Sequence, residues 1–598
     1  MNENSRVWKL PESAPDPAQL CEAWSRVIEN GLELMHASAA RASTAAAPLA
    51  FDSTAPARAF TEFASAFWSN PAGLLKAQQT AAGDWMKLWT HSGARLAGAG
   101  VEPVIAPARG DRRFSDPAWS EDPVFDYLKQ AYLLTARRVR ELVADVDGVD
   151  PATRTRVEFF TQQYLNALAP SNFAFTNPEA IRKAIDTGSI SLLSGLANLL
   201  ADAATGPQLP QRRSSEAFEL GVSLAATPGS VIYQNELMQL IQYAPATDKV
   251  YRRPLLYVPP LVNKYYLLDL QPRSSLMRWL VEQGHTVFVI SWVNPGPELA
   301  DKDIADYIRQ GPVEALDAIE QATGEREADL FGFCMGGTLA AIAAAYLAAK
   351  GDGDRVASVT TIGALLDFAE LGEWSTFIEP AQVEAMQRHL DAKGHMAASD
   401  LQTLFSVVRA NDLIWSSVVN HYLLDREAPP SDILYWFADG AHIPRAFLLS
   451  WAEQMLRGNR LREAGGLVLD GTPLDLGAVE APLFSISLKD DHVSAWAATY
   501  DGARLWGGPA RFLLGGSGHN AGVINPPSAN KHGYWTNDAL PGSADVWFEG
   551  ATRKEGSWWP EWQAWLSRSG KKLAARHPGG GALKAIEPAP GSYVRQRG

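Results

Sequence analysis

The pattern of apolar and polar residues changes partway along the chain. Between residues 123 and 200, apolar side chains recur with the spacing typical of amphipathic helices. Beyond residue 253, short apolar runs bounded by turn residues alternate with helical segments. The runs cover residues 254–258, 286–292, 328–331, 356–362, 482–488 and 511–514. Each run predicts a strand, and strands that alternate with helices predict an α/β architecture with a parallel sheet.

The same pattern divides the chain into three parts. Residues 1–110 are rich in alanine and carry an interrupted helical pattern, which predicts a loosely structured segment. Residues 111–212 predict a mostly helical domain, which ends in a linker over 206–215. Residues 213–598 predict the sheet-containing domain, and helices interrupt its strands over about 368–465. A helical insertion between strands is the expected form of a lid over a site at the strand ends.

Composition narrows the classes of function. The 598 residues are 46% hydrophobic and 20% charged, as in ordinary globular proteins. The net charge of −14 argues against a nucleic-acid partner, because binding phosphates requires an excess of Lys and Arg. The two cysteines, Cys21 and Cys334, are too few for a disulfide framework and fit a reducing compartment. We expect no signal peptide, because the first residues lack an apolar stretch next to a basic head. We expect no transmembrane segment, since the uncharged run 330–349 contains glycines and follows a predicted strand.

Residues 332–336 have the spacing of a nucleophile elbow. In the sequence Gly-Phe-Cys-Met-Gly, Cys334 stands where such motifs carry their nucleophile, and an Ala- and Leu-rich helix is predicted over 338–350. The glycines are needed because the strand-to-helix turn leaves no room for a Cβ two positions away. Such a turn exposes the sulfur and points the N–H of Met335 at a developing oxyanion. A thiol here predicts acyl transfer through a thioester; the alternative is a buried cysteine at a tight packing site.

The chain order nucleophile, acid, histidine of such sheets supplies partners for Cys334. The candidates, each on a loop after a late predicted strand, are Asp490, Asp491, His492 and His519. His519 follows a glycine-rich turn and is the predicted base. His492 lies on the loop expected to carry the acid, so its chain order is wrong for a base. Spacing alone does not choose between Asp490 and Asp491 as the acid.

A second oxyanion donor is predicted on the loop after an early strand. Residues 258–264 read Val-Pro-Pro-Leu-Val-Asn-Lys, and the two prolines stiffen the loop while lacking an N–H group. The remaining candidates are the N–H groups of Leu261 and Val262. Spacing does not separate them, and we carry Val262 forward.

These motifs together resemble those of class I polyhydroxyalkanoate synthases, bacterial enzymes that polymerise (R)-3-hydroxyacyl-CoA thioesters into storage polyester. The motifs are DRRFSDPAW (111–119), APSNFAFTNPEA (169–180), VPPLVNKYYLLDLQP (258–272), WLVEQGHTVFVISW (279–292), GFCMGG (332–337), LLDF (365–368), ANDLIW (410–415), DDHVSAW (490–496), GSGHNAGVINPP (516–527), GSWWPEW (556–562) and AIEPAPGSYV (585–594). The resemblance implies an α/β-hydrolase fold with a helical lid insertion, preceded by a mostly helical amino-terminal domain.

The resemblance also implies site residues. By motif, the triad falls on Cys334, Asp491 and His519, which selects Asp491 over its neighbour. Arg409 matches a position proposed to support the lid and CoA binding. Asn459 matches a lid asparagine near the CoA path.

Three positions depart from the pattern of the family. Val293 stands where the family usually has Arg, Ala364 where it usually has Thr, and Asn520 where it usually has Ile. Asn520 follows the predicted base directly, so this departure bears on substrate preference or on the orientation of the base. None of the three removes a member of the predicted triad.

The implied function is polymerisation of short-chain (R)-3-hydroxyacyl-CoA with release of CoA, through a covalent Cys acyl-enzyme and without a metal or other cofactor. The resemblance implies a homodimer in the cytoplasm, at the surface of polyester granules and beside granule-associated proteins. One alternative is a thioesterase or polyester hydrolase on the same fold, against which stand the cysteine and the long matching amino-terminal region. Another is a non-catalytic granule scaffold, against which stands the complete triad.

Overall fold

A computed structural model describes residues 16–42, 50–68, 71–206, 217–427 and 429–597. The chain forms two compact units. The first, called the helical unit below, draws on Met1–Ala47, Asp52–Arg213 and Thr403–Pro429, and the second, called the sheet unit, on Pro48–Phe51, Ser214–Gln402 and Pro430–Gly598. The linker predicted over 206–215 lies, except for Gly206, outside the described residues. The insertion predicted over 368–465 contributes residues to both units.

The helical unit owes its boundaries to capping residues that the sequence shows. Its helices are α1 (Pro17–Ala42), α2 (Ala55–Trp68), α3 (Pro71–Leu96), α4 (Ala118–Glu121), α5 (Pro123–Ala144), α6 (Pro151–Ala167), α7 (Pro178–Asp186) and α8 (Ile190–Thr205). The side chains of Asp122, Asp150 and Asn177 accept N–H bonds from the first turns of α5, α6 and α7. Each cap precedes a proline, which is favoured at the first helical position.

The first hundred residues are more regular than the sequence pattern predicts. Helices α1, α2 and α3 cover most of the described part of this segment. On α1, the Arg26 guanidinium donates to Asn198 over 2.8 Å and the Asn30 amide to the carbonyl of Ala197 over 2.8 Å, both on α8. Alanine has the highest intrinsic helix propensity, so an Ala-rich stretch with a weak apolar pattern still forms helices when a neighbour covers it.

The sheet unit is built on one large sheet. The strands are β1 (Gly229–Gln234), β2 (Met238–Tyr243), β3 (Lys249–Tyr251), β4 (Leu255–Val258), β5 (Val287–Trp292), β6 (Ala328–Phe333), β7 (Val356–Ile362), β8 (His395–Met396), β9 (Ile443–Pro444), β10 (Val468–Leu469), β11 (Thr472–Pro473), β12 (Leu483–Leu488), β13 (Ala510–Gly515), β14 (Tyr534–Thr536), β15 (Thr552–Lys554), β16 (Lys572–Ala574) and β17 (Glu587–Pro588). Eleven of them form the sheet in the order β15-β14-β13-β12-β7-β6-β4-β5-β2-β1-β17.

The centre of the sheet is parallel, as predicted. Strands β13, β12, β7, β6, β4 and β5 pair in parallel, and they confirm the six strands predicted from apolar runs. Antiparallel strands that the pattern missed extend the sheet at both ends. Every residue of β4 and of β6 is buried, since helices cover both faces of a parallel sheet.

Helices flank the sheet and fill the insertion. They are α9 (Leu276–Glu282), α10 (Ile304–Ile308), α11 (Glu314–Thr323), α12 (Met335–Lys350), α13 (Pro380–Lys393), α14 (Ala398–Val408), α15 (Asp432–Ala438), α16 (Arg445–Trp451), α17 (Trp496–Ala503), α18 (Ala544–Glu549) and α19 (Trp559–Leu566). Helices α13 to α16 lie between β7 and β12 in the chain, which confirms the predicted helical interruption. Among the described helices none is by itself long and apolar enough to cross a bilayer, although α7 and α8 pass that test as a pair with a sharp bend between them.

Candidate active site

Cys334 lies at the turn between β6 and α12. The strand ends at Phe333 and the helix begins at Met335, so the chain changes from strand to helix at the cysteine itself. Its backbone has φ +54° and ψ −133°, a conformation that residues other than glycine rarely adopt. The N–H of Cys334 donates to the carbonyl of Ile362 on β7 over 2.8 Å. This strained strand-to-helix turn is the geometry of a nucleophile elbow, as the spacing predicts.

The glycines of the elbow allow close approaches of backbone to backbone. A Cβ on Gly332 would stand 2.3 Å from the carbonyl oxygen of Gly336. A Cβ on Gly336 would stand 2.1 Å from the carbonyl oxygen of Val258, at the end of β4. Any side chain at either position would therefore displace the turn or the neighbouring strand.

Asp491 and His519 follow neighbouring strands at the same edge of the sheet. Strands β12 and β13 pair in parallel, so the loops that leave them begin side by side. His519 Nδ1 lies 2.6 Å from Asp491 Oδ2. The other carboxylate oxygen accepts N–H bonds from Val493 over 2.7 Å and from Ser494 over 2.9 Å. Both oxygens of Asp491 are thus held, and the carboxylate fixes the orientation of the imidazole.

The imidazole of His519 interacts electrostatically with both the Asp491 carboxylate and Cys334. The ring lies against Phe333, the residue before Cys334, with 4.6 Å between ring centroids. Burial lowers the pKa of His519, but the Asp491 carboxylate and Cys334 outweigh that effect and raise the pKa to about 10. A histidine with such a pKa can hold the proton that a thiol loses. A thiol, an imidazole and a carboxylate in this arrangement can serve as nucleophile, base and acid.

The competing residues on the acid loop occupy other positions. Asp490 and His492 are exposed, whereas Asp491 is buried. The N–H of Asp490 donates to the carbonyl of Ser517 over 3.0 Å, and the carbonyl of His492 accepts from the Trp374 indole over 3.3 Å. The structure therefore places Asp491, and not Asp490, beside His519.

Gly363 is a site residue that sequence reasoning missed. It follows β7, the strand between β6 and β12, and has φ +53°. A Cβ there would stand 3.3 Å from Asp491 Oδ2 and 3.3 Å from the His519 ring. Gly363 therefore leaves room for the carboxylate–imidazole pair. The available signal was a glycine directly after a central predicted strand, a place where backbone commonly approaches other groups closely.

Backbone N–H groups are available at the elbow and on the loop after β4. Met335 is the first residue of α12, so its N–H precedes the intrahelical bonds. On the loop after β4, neither Leu261 nor Val262 donates its N–H to a protein acceptor within the described residues. That loop begins at Val258, whose carbonyl meets the elbow. An oxyanion hole requires N–H groups that have no protein acceptor, so Met335, Leu261 and Val262 are its candidates.

The residues predicted to bind CoA are engaged in contacts with the protein. Arg409 belongs to the helical unit, where its Nε donates to Asp412 over 3.0 Å. Asn459 belongs to the sheet unit, where its amide donates to Asp367 over 2.7 Å and accepts from the Phe368 N–H over 2.8 Å. A role in CoA binding stays a prediction for both. In the described part of the chain, no group of three or more His, Cys, Asp or Glu side chains is placed to hold a metal ion.

The three departures from the family pattern lie in different surroundings. Val293 packs against the main core of the sheet unit. Ala364 lies beside α12, where a Cβ on Gly337 would stand 2.6 Å from the Ala364 Cβ, so a small residue fits this contact. Asn520 is partly buried and begins the turn after His519.

The chain is similar to known proteins along most of its length. The family model described as "Poly-beta-hydroxybutyrate polymerase (PhaC) N-terminus" matches residues 110–280, and the model described as "alpha/beta hydrolase fold" matches residues 267–526. The chain is 41% identical to the poly(3-hydroxyalkanoate) polymerase of Methylorubrum extorquens over 90% of each chain. It is 40% identical to the poly(3-hydroxyalkanoate) polymerase subunit PhaC of Rhizobium meliloti, over 89% of this chain and 87% of that one. The subunit of the same name from Cupriavidus necator is 40% identical, over 88% of this chain and 89% of that one. The predicted α/β-hydrolase fold is confirmed.

Proposed function

We propose that this chain, which belongs to the poly(3-hydroxyalkanoate) polymerase family, polymerises (R)-3-hydroxyacyl-CoA thioesters into polyester and releases CoA. One observation carries the proposal: an elbow thiol close to a hydrogen-bonded His–Asp pair, in a chain 41% identical to such a polymerase over 90% of its length. We assign Cys334 as nucleophile, His519 as general base and Asp491 as the acid that orients the base.

The first half-reaction transfers the acyl group to the enzyme. His519 takes the proton of the Cys334 thiol, and the thiolate attacks the carbonyl carbon of the acyl-CoA thioester. The N–H groups of Met335 and Val262 stabilise the oxyanion of the tetrahedral intermediate. Collapse of the intermediate breaks the carbon–sulfur bond to CoA, and His519 returns its proton to the departing CoA thiolate. Because one thioester replaces another, the acyl group stays reactive towards an alcohol.

The second half-reaction forms the ester. A 3-hydroxyl group, from the end of the growing chain or from an incoming monomer, gives its proton to His519 and attacks a thioester carbonyl. The new carbon–oxygen bond replaces a carbon–sulfur bond, and the departing thiolate receives the proton that His519 holds. Asp491 stabilises the imidazolium through its 2.6 Å contact in both half-reactions. One base therefore serves acylation and elongation.

A thioesterase or polyester hydrolase would use the same triad with water as the acceptor. The cysteine nucleophile argues against it, and so does the match of residues 110–280 to the amino-terminal model of the polymerase family. In this proposal the helices between β7 and β12 exclude water, which would otherwise hydrolyse the acyl-enzyme.

One assay separates the candidate functions. The full chain is incubated with (R)-3-hydroxybutyryl-CoA while free thiol and turbidity are followed. We expect CoA release together with insoluble polymer. Release of CoA with only free 3-hydroxybutyrate would establish a hydrolase instead, and neither product would favour the non-catalytic scaffold.

Finer properties of the enzyme are proposed from the class I resemblance. We assign it short acyl chains, a homodimeric active form, and a place in the cytoplasm at the surface of polyester granules. Rates of CoA release from 3-hydroxybutyryl-CoA and 3-hydroxyoctanoyl-CoA test the chain length, and a preference for the longer substrate would reverse it. Sedimentation during turnover tests the dimer, and partition of the protein between granules and supernatant tests its location.

A further inference from the structure

The loop that carries Val262 contacts the segment after α15 through an isolated antiparallel bridge, a backbone hydrogen bond and an ion pair. The three consecutive residue pairs are Val262 with Ala441, Asn263 with Gly440, and Lys264 with Asp439. In the first pair, the N–H of Ala441 donates to the carbonyl of Val262 over 3.2 Å. In the last pair, Lys264 Nζ lies 2.5 Å from Asp439 Oδ1. The candidate oxyanion donor thus lies two residues from an ion pair.

The ion pair is buried, and neighbouring side chains donate hydrogen bonds to other oxygen atoms of the same two residues. The Lys264 side chain is 6% exposed and that of Asp439 is 11% exposed. The Tyr266 hydroxyl donates to the second oxygen of Asp439 over 2.8 Å. The Trp436 indole donates to the carbonyl of Lys264 over 2.8 Å. Four side chains therefore define one position of the loop relative to α15.

Stability is a weak explanation for this ion pair. Burial lowers the pKa of Lys264 although Asp439 opposes the shift, and burial raises the pKa of Asp439 although Lys264 opposes it. Desolvation therefore offsets much of the attraction, and apolar residues of similar shape often replace such pairs without loss of stability. A charge-assisted hydrogen bond has a preferred geometry. It therefore fixes the relative position of two residues more closely than an apolar contact does.

The segment that supports the loop is itself anchored. The N–H of His442 donates to Asn294 Oδ1 over 2.8 Å, and the Asn294 amide donates to the carbonyl of Arg597 over 3.0 Å. These hydrogen bonds therefore connect His442 to Asn294, on the loop after β5, and Asn294 to Arg597.

We propose that Lys264 and Asp439 are positioning residues that hold the N–H of Val262 where the oxyanion develops. The inference rests on the proposed function, because it requires acyl transfer at Cys334. The pair acts through the backbone of residues 262–264 and touches no reacting atom. Removing an oxyanion donor costs roughly 10²–10³ in kcat, so a displaced donor should cost about ten- to a hundredfold.

Two reactions of the same thiol test this role. Alkylation of Cys334 by iodoacetamide requires the thiolate but forms no oxyanion, whereas acylation by (R)-3-hydroxybutyryl-CoA requires both. In Lys264→Met we expect acylation to slow about ten- to a hundredfold, while alkylation stays within about threefold of wild type because the triad is intact. Mass spectrometry of the Cys334 peptide reports both rates, so the exposed Cys21 does not interfere.

Two further variants separate a positioning role of the ion pair from a loss of stability. Lys264→Met leaves a buried carboxylate unpaired and is expected to lose stability. The double variant Lys264→Met/Asp439→Leu removes both charges, and we expect it to stay folded and still acylate slowly. The control is Arg355→Met. Arg355 directly precedes β7, and its guanidinium is also buried, at 8% exposure, and lies 2.5 Å from Asp317. We expect the control to leave the ratio of the two rates unchanged.

The acylation and alkylation rates of the double variant decide whether Lys264 and Asp439 position the Val262 N–H. Slow acylation with normal alkylation in the double variant supports the positioning role. Normal acylation in the double variant, or equal loss of both reactions there, overturns it. If the wild-type chain itself is alkylated but not acylated, the proposed function fails and the inference fails with it.

Discussion

The two sides of the Cys334 thiol are built in different ways. On one side, called the base side, His519 and Asp491 follow adjacent strands and meet over 2.6 Å. On the other, called the oxyanion side, Val262 lies on a loop that a distant segment holds through the Lys264–Asp439 pair. The first arrangement follows from the sheet, because parallel strands end at a common edge. The second depends on a contact between residues 175 positions apart in the chain.

The difference implies two separable kinds of damage. Changes on the base side remove the thiolate, so they should slow every reaction of Cys334. Changes on the oxyanion side leave the thiolate and should slow only reactions that pass through a tetrahedral intermediate. Alkylation by iodoacetamide and acylation by the acyl-CoA distinguish the two sides in the His519 and Gly363 variants below.

The largest loss of activity is expected from a change at Cys334, which both sides serve. Cys334→Ala removes the nucleophile and little volume, so CoA release should fall by about 10⁴-fold or more while the fold is kept. CoA release and circular dichroism measure the two properties. Retention of more than about a hundredth of wild-type turnover would remove Cys334 from the mechanism, given the losses typical of triad removal.

A loss of about a thousandfold is expected from His519→Gln, which removes the base. Acylation and alkylation should fall together, in contrast to the Lys264 variant. His492→Gln, on the neighbouring exposed loop, is the control and should keep most activity. Normal alkylation in His519→Gln would show that another group generates the thiolate. Alkylation would then no longer distinguish changes on the base side from changes on the oxyanion side.

A smaller loss, about ten- to a hundredfold, is expected from Gly363→Ala, since a misplacement of about 1 Å can cost a hundredfold. The added Cβ stands 3.3 Å from Asp491 and from His519, so both reactions should slow equally. Gly351→Ala is the matched control, because Gly351 also has positive φ but nothing lies within 4 Å of its Cβ. If both variants lose activity alike, backbone strain explains the loss and Gly363 has no special place on the base side.

No loss of activity is expected from Asp329→Asn, at the opposite end of the strand that leads to Cys334. Burial raises the pKa of Asp329 to about 6, although Ser358 opposes the shift with a 2.6 Å hydrogen bond. The folded state therefore holds the proton more tightly than the unfolded state, and this site loses stability as the pH rises from about 4 through 6. At pH 7 the uncharged asparagine should relieve at most about 3 kcal/mol.

Thermal unfolding of both proteins from pH 4 to pH 8 measures this effect. The Tm of Asp329→Asn should equal that of wild type near pH 4 and exceed it increasingly towards pH 7. A constant difference across the range would contradict the shifted pKa. A loss of CoA release would show that the chemistry extends beyond the carboxyl ends of the strands.

The base side could be predicted from sequence because its signals are local. An apolar run, a turn and a polar residue stand together at Asp491 and again at His519, and chain order assigns the roles. Asp491 differs from Asp490 in its burial and in its contact with His519, and spacing reveals neither. The Lys264–Asp439 pair could not be predicted, because a lysine and an aspartate far apart each look like ordinary surface residues.

The antiparallel end of the sheet was missed for a related reason. β2 carries Gln239 at 0% exposure, a polar residue that breaks an apolar run. Its side-chain oxygen accepts the N–H bonds of Ser592 and Tyr593, each over 3.1 Å. These residues belong to the closing AIEPAPGSYV stretch, whose Glu587 pairs with β1 at the edge of the sheet. The stretch therefore completes the sheet, and only the folded chain shows which strand it joins.

The most direct test of the central claim is detection of the acyl-enzyme. Wild-type protein is mixed with (R)-3-hydroxybutyryl-CoA, quenched in acid within the first turnover, digested and analysed by mass spectrometry. The account predicts 3-hydroxybutyryl groups on the Cys334 peptide, in step with CoA release and absent from Cys334→Ala. Polymer formation with an unmodified Cys334 peptide, or acylation at another residue that survives in Cys334→Ala, would contradict it.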